Sequence, residues 1–341
     1  MSEPAPSAAT SFAECARAAL ARWPVQVARL EPLKVRENAV FAAHLNDGGR
    51  VIVRVHRLGY HSDDALESEH LWMSALAAVG IAVPRALYSR AGRAFEKIEV
   101  EGLPGARQVD VFEWIDGCQL GSVEQGLVAG APVASTYGAL GEIAARMHSA
   151  ACAWSAPPGF RRHSWDAPGL VGESPFWGRF WDLEALTAEQ RHFFERLRSY
   201  VAQDLASFGE GTDRFGLIHA DLVPENVLAT AEGLKVIDFD DAGYGWHLFE
   251  MATSLYFIRR EPCYEEARAG LLEGYRRVRP LSASHERLLP LFLAARGTTY
   301  LGWVHTRRGE AVARELTPML IELAVAAGED YFATRQAPVI C

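Results

Sequence analysis

Apolar residues recur along this chain at two spacings, and the change from one to the other divides it. Residues 11–23 carry them at helical spacing, whereas VQVARLEPL (25–33), NAVFAAHL (38–45) and RVIVRVHR (50–57) read as strands. NDGG at 46–49 predicts a hairpin turn, because its glycines accept positive φ. Residues 63–79, DDALESEHLWMSALAAV, return to helical spacing and are stopped by GIAVP. VDVFEWI at 109–115 is the next strand, closed by a DG pair. About the first 110 residues therefore predict a small antiparallel sheet with one helix.

Helical spacing dominates from there on. Residues 134–150 form an amphipathic helix, 157–181 a loop rich in Pro, Gly and Trp, and 187–208 a further helix. Residues 247 to about 330 read as several helices, and the chain holds no internal repeat or low-complexity tract. The fold class expected is α+β: a sheet-rich N-terminal lobe over 1–115, a hinge at about 112–117 around WIDG, and a helical lobe over 116–341.

Between the last two helical stretches lies the polar anomaly of the chain, IHADLVPENVLATAEGLKVIDFDD at 218–241. NVLA and GLKVIDFDD read as two strands joined by TAEG. Such a hairpin brings Asp221 and Asn226 near Asp238. The spacing is H-x-D-x-x-x-x-N, followed by a strand that runs into Asp. In phosphoryl transfer these residue types have separate tasks: one carboxylate orients an attacking hydroxyl, while an amide oxygen and a second carboxylate offer hard oxygen ligands to Mg²⁺. The bland alternative is a set of polar residues capping a solvated turn.

Composition narrows the setting. A net charge of -9 argues against a nucleic-acid partner, and the arginine pairs are dispersed along helices. The five cysteines form no C-x-x-C pair, which suits free thiols in a reducing compartment. The N-terminal stretch has no basic region or long apolar core, and no segment approaches the roughly 20 apolar residues of a membrane span. A cytoplasmic protein without a membrane partner is expected. The P-loop and the G-x-G-x-x-G fingerprint are both missing from the sequence.

HADLVPENVL and VIDFDDAGYGWHLFEMA resemble the phosphotransferase family of aminoglycoside phosphotransferases, choline kinases, type II homoserine kinases and stress-response kinase A. The likeness runs from about residue 35 to about residue 310 and is supported by residues 50–76 and by GFRRHSWDAPGL. It implies a bilobal protein-kinase-like fold, with ATP and Mg²⁺ as cofactors. By this resemblance Asp221 is the catalytic base, His219 shapes its loop, and Asn226 and Asp238 hold Mg²⁺. Asp240 would help a second metal, and would share a side with Asp238 only if the strand continued that far. Asp241 would point away. Arg54 would face the phosphates in place of the usual Lys, steadied by Glu69. Glu37 and Asn38 would contact the phosphates from the hairpin that replaces a glycine-rich loop. Phe112, the Glu113 carbonyl and the Ile115 amide would meet adenine.

Acceptor candidates are Trp165, Asp166, Tyr244, Trp246, His247, Arg296 and Trp303, although Trp and Tyr at helical spacing commonly fill cores. Glu250 stands where the family's Asp braces the catalytic loop. The C-terminal arginines do not suit a polycationic aminoglycoside. The expected acceptor is a small-molecule hydroxyl on an amino-acid alcohol or amino alcohol, with Arg296 reading a carboxylate in the former. A protein Ser/Thr kinase and a nucleotide-binding pseudokinase scaffold are the alternatives, and a monomer or homodimer is compatible with either.

Overall fold

The computed structural model describes residues 8–35, 38–122, 126–128, 130 and 132–336. Two compact units emerge: Met1–Gly117 with Ala156–Arg161, and Cys118–Ser155 with Arg162–Cys341.

The first unit opens with α1 (Ala8–Leu20), followed by β1 (Val27–Val35), β2 (Ala39–Leu45), β3 (Arg50–Val55), α2 (Asp63–Ala78), β4 (Ala86–Leu87), β5 (Phe95–Ile98) and β6 (Arg107–Glu113). The strands pair antiparallel in the order β1-β2-β3-β6-β4, with β5 also on β6. Cys15, Ala16, Ala19 and Trp23 from α1 and the turn after it join Phe41, Val51, Val53, Val55, Val109 and Val111 in one core. Helices α1 and α2 fall where the helical spacing of 11–23 and 63–79 places them, and α1 packs on the sheet as a second helix of the unit. Ser62 caps α2 by accepting from the Ala65 N–H, and Asp63 and Asp64 complement the dipole of its first turn. The inner face of α2 carries Leu66, Glu69, His70, Met73 and Leu76, so a charged residue enters the buried stripe.

The second unit contains β7 (Cys118–Gln119), β8 (Gly121–Ser122), β9 (Gly126–Leu127), α3 (Val133–Ala153), β10 (Ser164–Trp165), α4 (Ala167–Val171), α5 (Ala188–Phe208), β11 (Phe215–Ile218), β12 (Val227–Thr230), β13 (Gly233–Val236), β14 (Gly243–Trp246), α6 (His247–Tyr256), α7 (Tyr264–Val278), α8 (Ala283–Glu286), α9 (Leu289–Thr306) and α10 (Ala311–Gln336). The stretch expected as a plain loop at 157–181 includes β10, α4 and a 3₁₀ turn, because Asp166 caps α4 by accepting from the Gly169 N–H. Every residue of α6 is buried, as are most of α9, so these two helices form the centre of the unit. Both nevertheless carry a charged residue, Glu250 and Arg296, and a buried charge must find partners.

Helices α3 and α7 approach through small residues. A Cβ on Gly274 would lie 1.9 Å from the Gly138 carbonyl oxygen, and one on Gly141 would lie 2.1 Å from that of Leu271. Main chain blocks each position, so no side-chain rotation relieves the clash. We expect Gly274→Ala to destabilise the chain by about 1–3 kcal/mol or more, read by urea unfolding. A wild-type midpoint would show that the two helices separate without loss.

Candidate active site

In the first unit a ring of buried polar groups surrounds Arg54 of β3. Register places Arg54 directly opposite Asp110 of β6. Arg54 donates Nε to Asp110 Oδ1 at 3.1 Å and Nη2 to Asp110 Oδ2 and Glu69 Oε1, each at 2.7 Å. Asp110 Oδ2 also lies 3.1 Å from His56 Nε2 and 3.2 Å from His70 Nε2. Burial pushes the Asp110 carboxyl up, but Arg54 and the two imidazoles outweigh it and hold the group well below the usual carboxylate range. Arg54 and Glu69 are therefore brought together, with Asp110 as a partner that the sequence reading missed. Its signal was an acidic residue inside the otherwise apolar strand VDVF.

Of the other expected nucleotide contacts, Phe112 packs on this ring. Phe112 is buried, stacks on His70 at 5.5 Å and lies under the Arg54 guanidinium at 5.1 Å. The Glu113 N–H donates to the Arg85 carbonyl at 2.9 Å, and Ile115 is half-buried just past the strand. The strand ends at Glu113 rather than Ile115. Asn38 Oδ1 accepts from the Arg57 N–H at 3.1 Å, tying the β1–β2 turn to the end of β3. Glu37 lies outside the described residues.

In the second unit β12 and β13 form a hairpin pairing Val227 with Val236. The Ile237 N–H donates to the Asn226 carbonyl at 2.9 Å, which sets Asn226 across from the residue preceding Asp238. Asn226 Nδ2 donates to the main-chain oxygen of Asp221 at 2.9 Å and to Asp221 Oδ2 at 2.8 Å. His219 accepts the Asp221 N–H on Nδ1 and donates Nε2 to the Ile237 carbonyl, which defines its tautomer. One imidazole thus ties the Asp221 loop to the start of the Asp238 turn.

The strand stops at Val236, so the alternation expected to place Asp238 and Asp240 on one side does not apply. Asp238 takes φ 64° and Ala220 φ 65°, the two non-glycine residues with positive φ among those described. Left-handed backbone is uncommon for residues with a Cβ, and here it flanks the candidate site on both sides. Asp238 is exposed and Asp240 buried. Arg162 grips the turn by donating to the carbonyls of Phe239, Asp240 and Ala242, and His163 and Trp165 both donate to that of Asp241 at 2.9 Å.

Glu250 of α6 accepts the N–H groups of His219 at 2.8 Å and Ala220 at 2.7 Å. Burial pushes its carboxyl up to about 7, against the two N–H donors and Arg296, which favour the ionised form. Behind it His148 and His247 stack with ring centroids 4.2 Å apart, and His148 Nδ1 meets the Tyr275 hydroxyl at 3.0 Å. Burial holds both imidazoles below the usual histidine range, His247 at about 3.

Several acceptor candidates belong to the interior instead. Trp165 is 0% and Trp246 1% exposed, and their indole N–H groups donate to the main chain at Asp241 and Gly209. His247 is buried in the stack with His148, and Asp166 is a helix cap. Trp165, Trp246 and His247 are thus packed into the interior, whereas Asp166 stays half-buried at its helix end. Arg296 is 0% exposed and donates to Asp221 Oδ1 at 2.7 Å. Tyr244 and Trp303 remain half-buried.

Comparison with known proteins is consistent in direction. A sequence profile described as the phosphotransferase enzyme family matches residues 29–281. Amicoumacin kinase of Bacillus subtilis (strain 168) is 24% identical over 297 residues, covering 84% of this chain and 83% of that protein. A homoserine kinase of Sinorhizobium medicae (strain WSM419) is 26% identical over 319 residues, covering 88% of each chain. A solved structure of the microcompartment-associated aminopropanol kinase superposes with a TM-score of 0.83 at 30% identity, covering 94% of this chain and 98% of that one. The α+β fold is protein-kinase-like.

The position of Glu250 generates a pH-dependent expectation. Its folded value near 7 lies above the ordinary 4.5, so the folded chain binds this proton more tightly than the unfolded chain. The resulting stability is fully present below pH 4.5 and is lost as pH rises through 7, an effect on the order of 3 kcal/mol. Gln at this position is uncharged at every pH, so it removes the titration, although its amide nitrogen cannot accept the second N–H. Urea unfolding should therefore show Glu250→Gln gaining on the wild type between pH 5 and pH 8, while parallel curves would contradict the shift.

Proposed function

The chain belongs to the phosphotransferase enzyme family, and on that footing we propose that it transfers the γ-phosphoryl group of ATP, with Mg²⁺, to a hydroxyl of a small amino alcohol or amino-acid alcohol. The observation that carries the proposal is the Asp221–Asn226 contact. A carboxylate with two hydrogen-bonded oxygens still has lone pairs for an incoming hydroxyl, and its orientation is set before the acceptor arrives.

The donor set suits a hard cation. Asn226 turns its Nδ2 to Asp221, so its Oδ1 is the amide atom left to face a ligand, and Asp238 offers an exposed carboxylate on the adjoining turn. Asn226 and Asp238 would hold Mg²⁺, with Asp240 a candidate for a second ion. The metal would offset charge developing on the phosphoryl oxygens.

The remaining work falls to the chain. Asp221 would orient the acceptor hydroxyl and take up its proton. Glu250 and His219 keep the Asp221 loop in its left-handed course. Arg54, fixed by Asp110 and Glu69, would meet the nucleotide phosphates, and an Arg stays charged there where a Lys could be neutralised by burial. Phe112, Glu113 and Ile115 would line the adenine, with Asn38 near the phosphate end. The amino-alcohol class is supported by the aminopropanol kinase and homoserine kinase relatives and by the absence of a strongly acidic C-terminal composition.

Asp221→Asn should lower transfer by about 10²–10⁴-fold while leaving nucleotide affinity within a few fold, measured by calorimetry with a non-hydrolysable ATP analogue. Undiminished transfer in that variant would remove Asp221 from the mechanism. A panel of 1-amino-2-propanol, homoserine, choline, an aminoglycoside and a generic protein should give turnover with one of the first two. Turnover confined to the protein would replace the small acceptor with a Ser/Thr side chain.

A further inference from the structure

Arg296 sits on α9, outside the segment matched by the family profile, and no part of it reaches solvent. Its Nη2 donates both to Asp221 Oδ1 and to the hydroxyl of Tyr300, each at 2.7 Å. Tyr300 lies one helical turn further along α9, on the same face. The guanidinium carbon lies 4.3 Å from the Tyr300 ring centroid, 5.0 Å from that of Trp177 and 5.5 Å from that of Phe249. Its Nε and Nη1 are buried and find no acceptor among the described residues. Asp221, by contrast, keeps 24% of its side chain exposed.

A buried, always-charged fork is a costly choice for a helix that an apolar side chain could fill. This fork is closed to solvent on every side and touches the reaction site through one atom. From this we propose that Arg296 is a positioning residue for Asp221 and does not read a carboxylate on the acceptor. The proposal rests on the phosphotransferase reading above. Arg296 ties Oδ1 and Asn226 ties Oδ2, so the carboxylate plane is fixed by one contact from α9 and one from the loop. Tyr300 holds the guanidinium in turn. The contrast is with direct recognition, in which Arg296 would discriminate amino-acid alcohols from plain amino alcohols.

The experiment compares Arg296→Met, Arg296→Lys and Tyr300→Phe on homoserine and on 1-amino-2-propanol, using whichever of them the wild type turns over together with its carboxylate-bearing or carboxylate-free analogue. Positioning predicts that Arg296→Met loses about 10²-fold in kcat on both acceptors, with KM for acceptor and ATP within about threefold. Lys should recover about tenfold of that loss, because it keeps the charge but cannot reach two partners as a fork does. A KM rise of about tenfold or more confined to the carboxylate-bearing acceptor, at unchanged kcat, would overturn the proposal in favour of recognition. A Lys variant no better than Met would overturn it too.

Should Arg296→Met fail to fold, Tyr300→Phe decides. It leaves the guanidinium in place without its anchor and should lower kcat several-fold on both acceptors at constant KM. A folded Tyr300→Phe enzyme with wild-type kcat would sink the anchoring. If the wild type turns over no acceptor at all, the phosphotransferase reading fails instead. A double-mutant unfolding cycle of Arg296→Lys with Asp221→Asn then still tests the pair, since the two substitutions must be non-additive if Arg296 holds Asp221 and additive if it does not.

Discussion

Two main-chain N–H groups, those of His219 and Ala220, point into the protein and end on the carboxylate of Glu250. A buried N–H without an acceptor is destabilising, so this carboxylate makes the left-handed course at Ala220 tolerable. The course of the loop then sets where His219, Asp221 and Asn226 lie. Glu250 can hold this position because α6 is buried around its whole circumference and cannot roll toward solvent.

The same kind of placement recurs within each unit. Each side chain that would do chemistry is held in place by neighbouring polar groups. Asp221 is held by Arg296 and Asn226, Arg54 by Asp110 and Glu69, and the turn after Asp238 by the forked donation from Arg162. The buried guanidinium groups of Arg54 and Arg296 each face a carboxylate, as low-dielectric surroundings require. The consequence is orientation before any ligand arrives, which suits a reaction whose catalysis rests on positioning and electrostatics.

Much of this arrangement was legible along the chain. The antiparallel sheet, helix α2 and the β12–β13 hairpin follow from local apolar spacing and turn residues. The H-x-D-x-x-x-x-N run stands out because so many polar groups seldom interrupt two apolar runs without a task. The less legible residues were those whose meaning depends on a distant partner. Asp110 reads as an oddity until strand register sets it opposite Arg54. Trp165, Trp246 and His247 look like an aromatic acceptor wall until the helices close over them. Arg296 reads as a candidate for an acceptor carboxylate from its type alone, and nothing local in the sequence shows its contact with Asp221.

What the sequence determined by itself was therefore the reaction type and the local elements, since spacing along a chain directly controls hairpins, helix faces and motif geometry. The tertiary structure alone decided which charged groups meet. Glu250 and Ala220 are 30 residues apart, Arg54 and Asp110 are 56, and Asp221 and Arg296 are 75. No local periodicity encodes contacts at such separations; they exist because α6, α9 and the β3–β6 pair are packed so that buried charge has no other place to go.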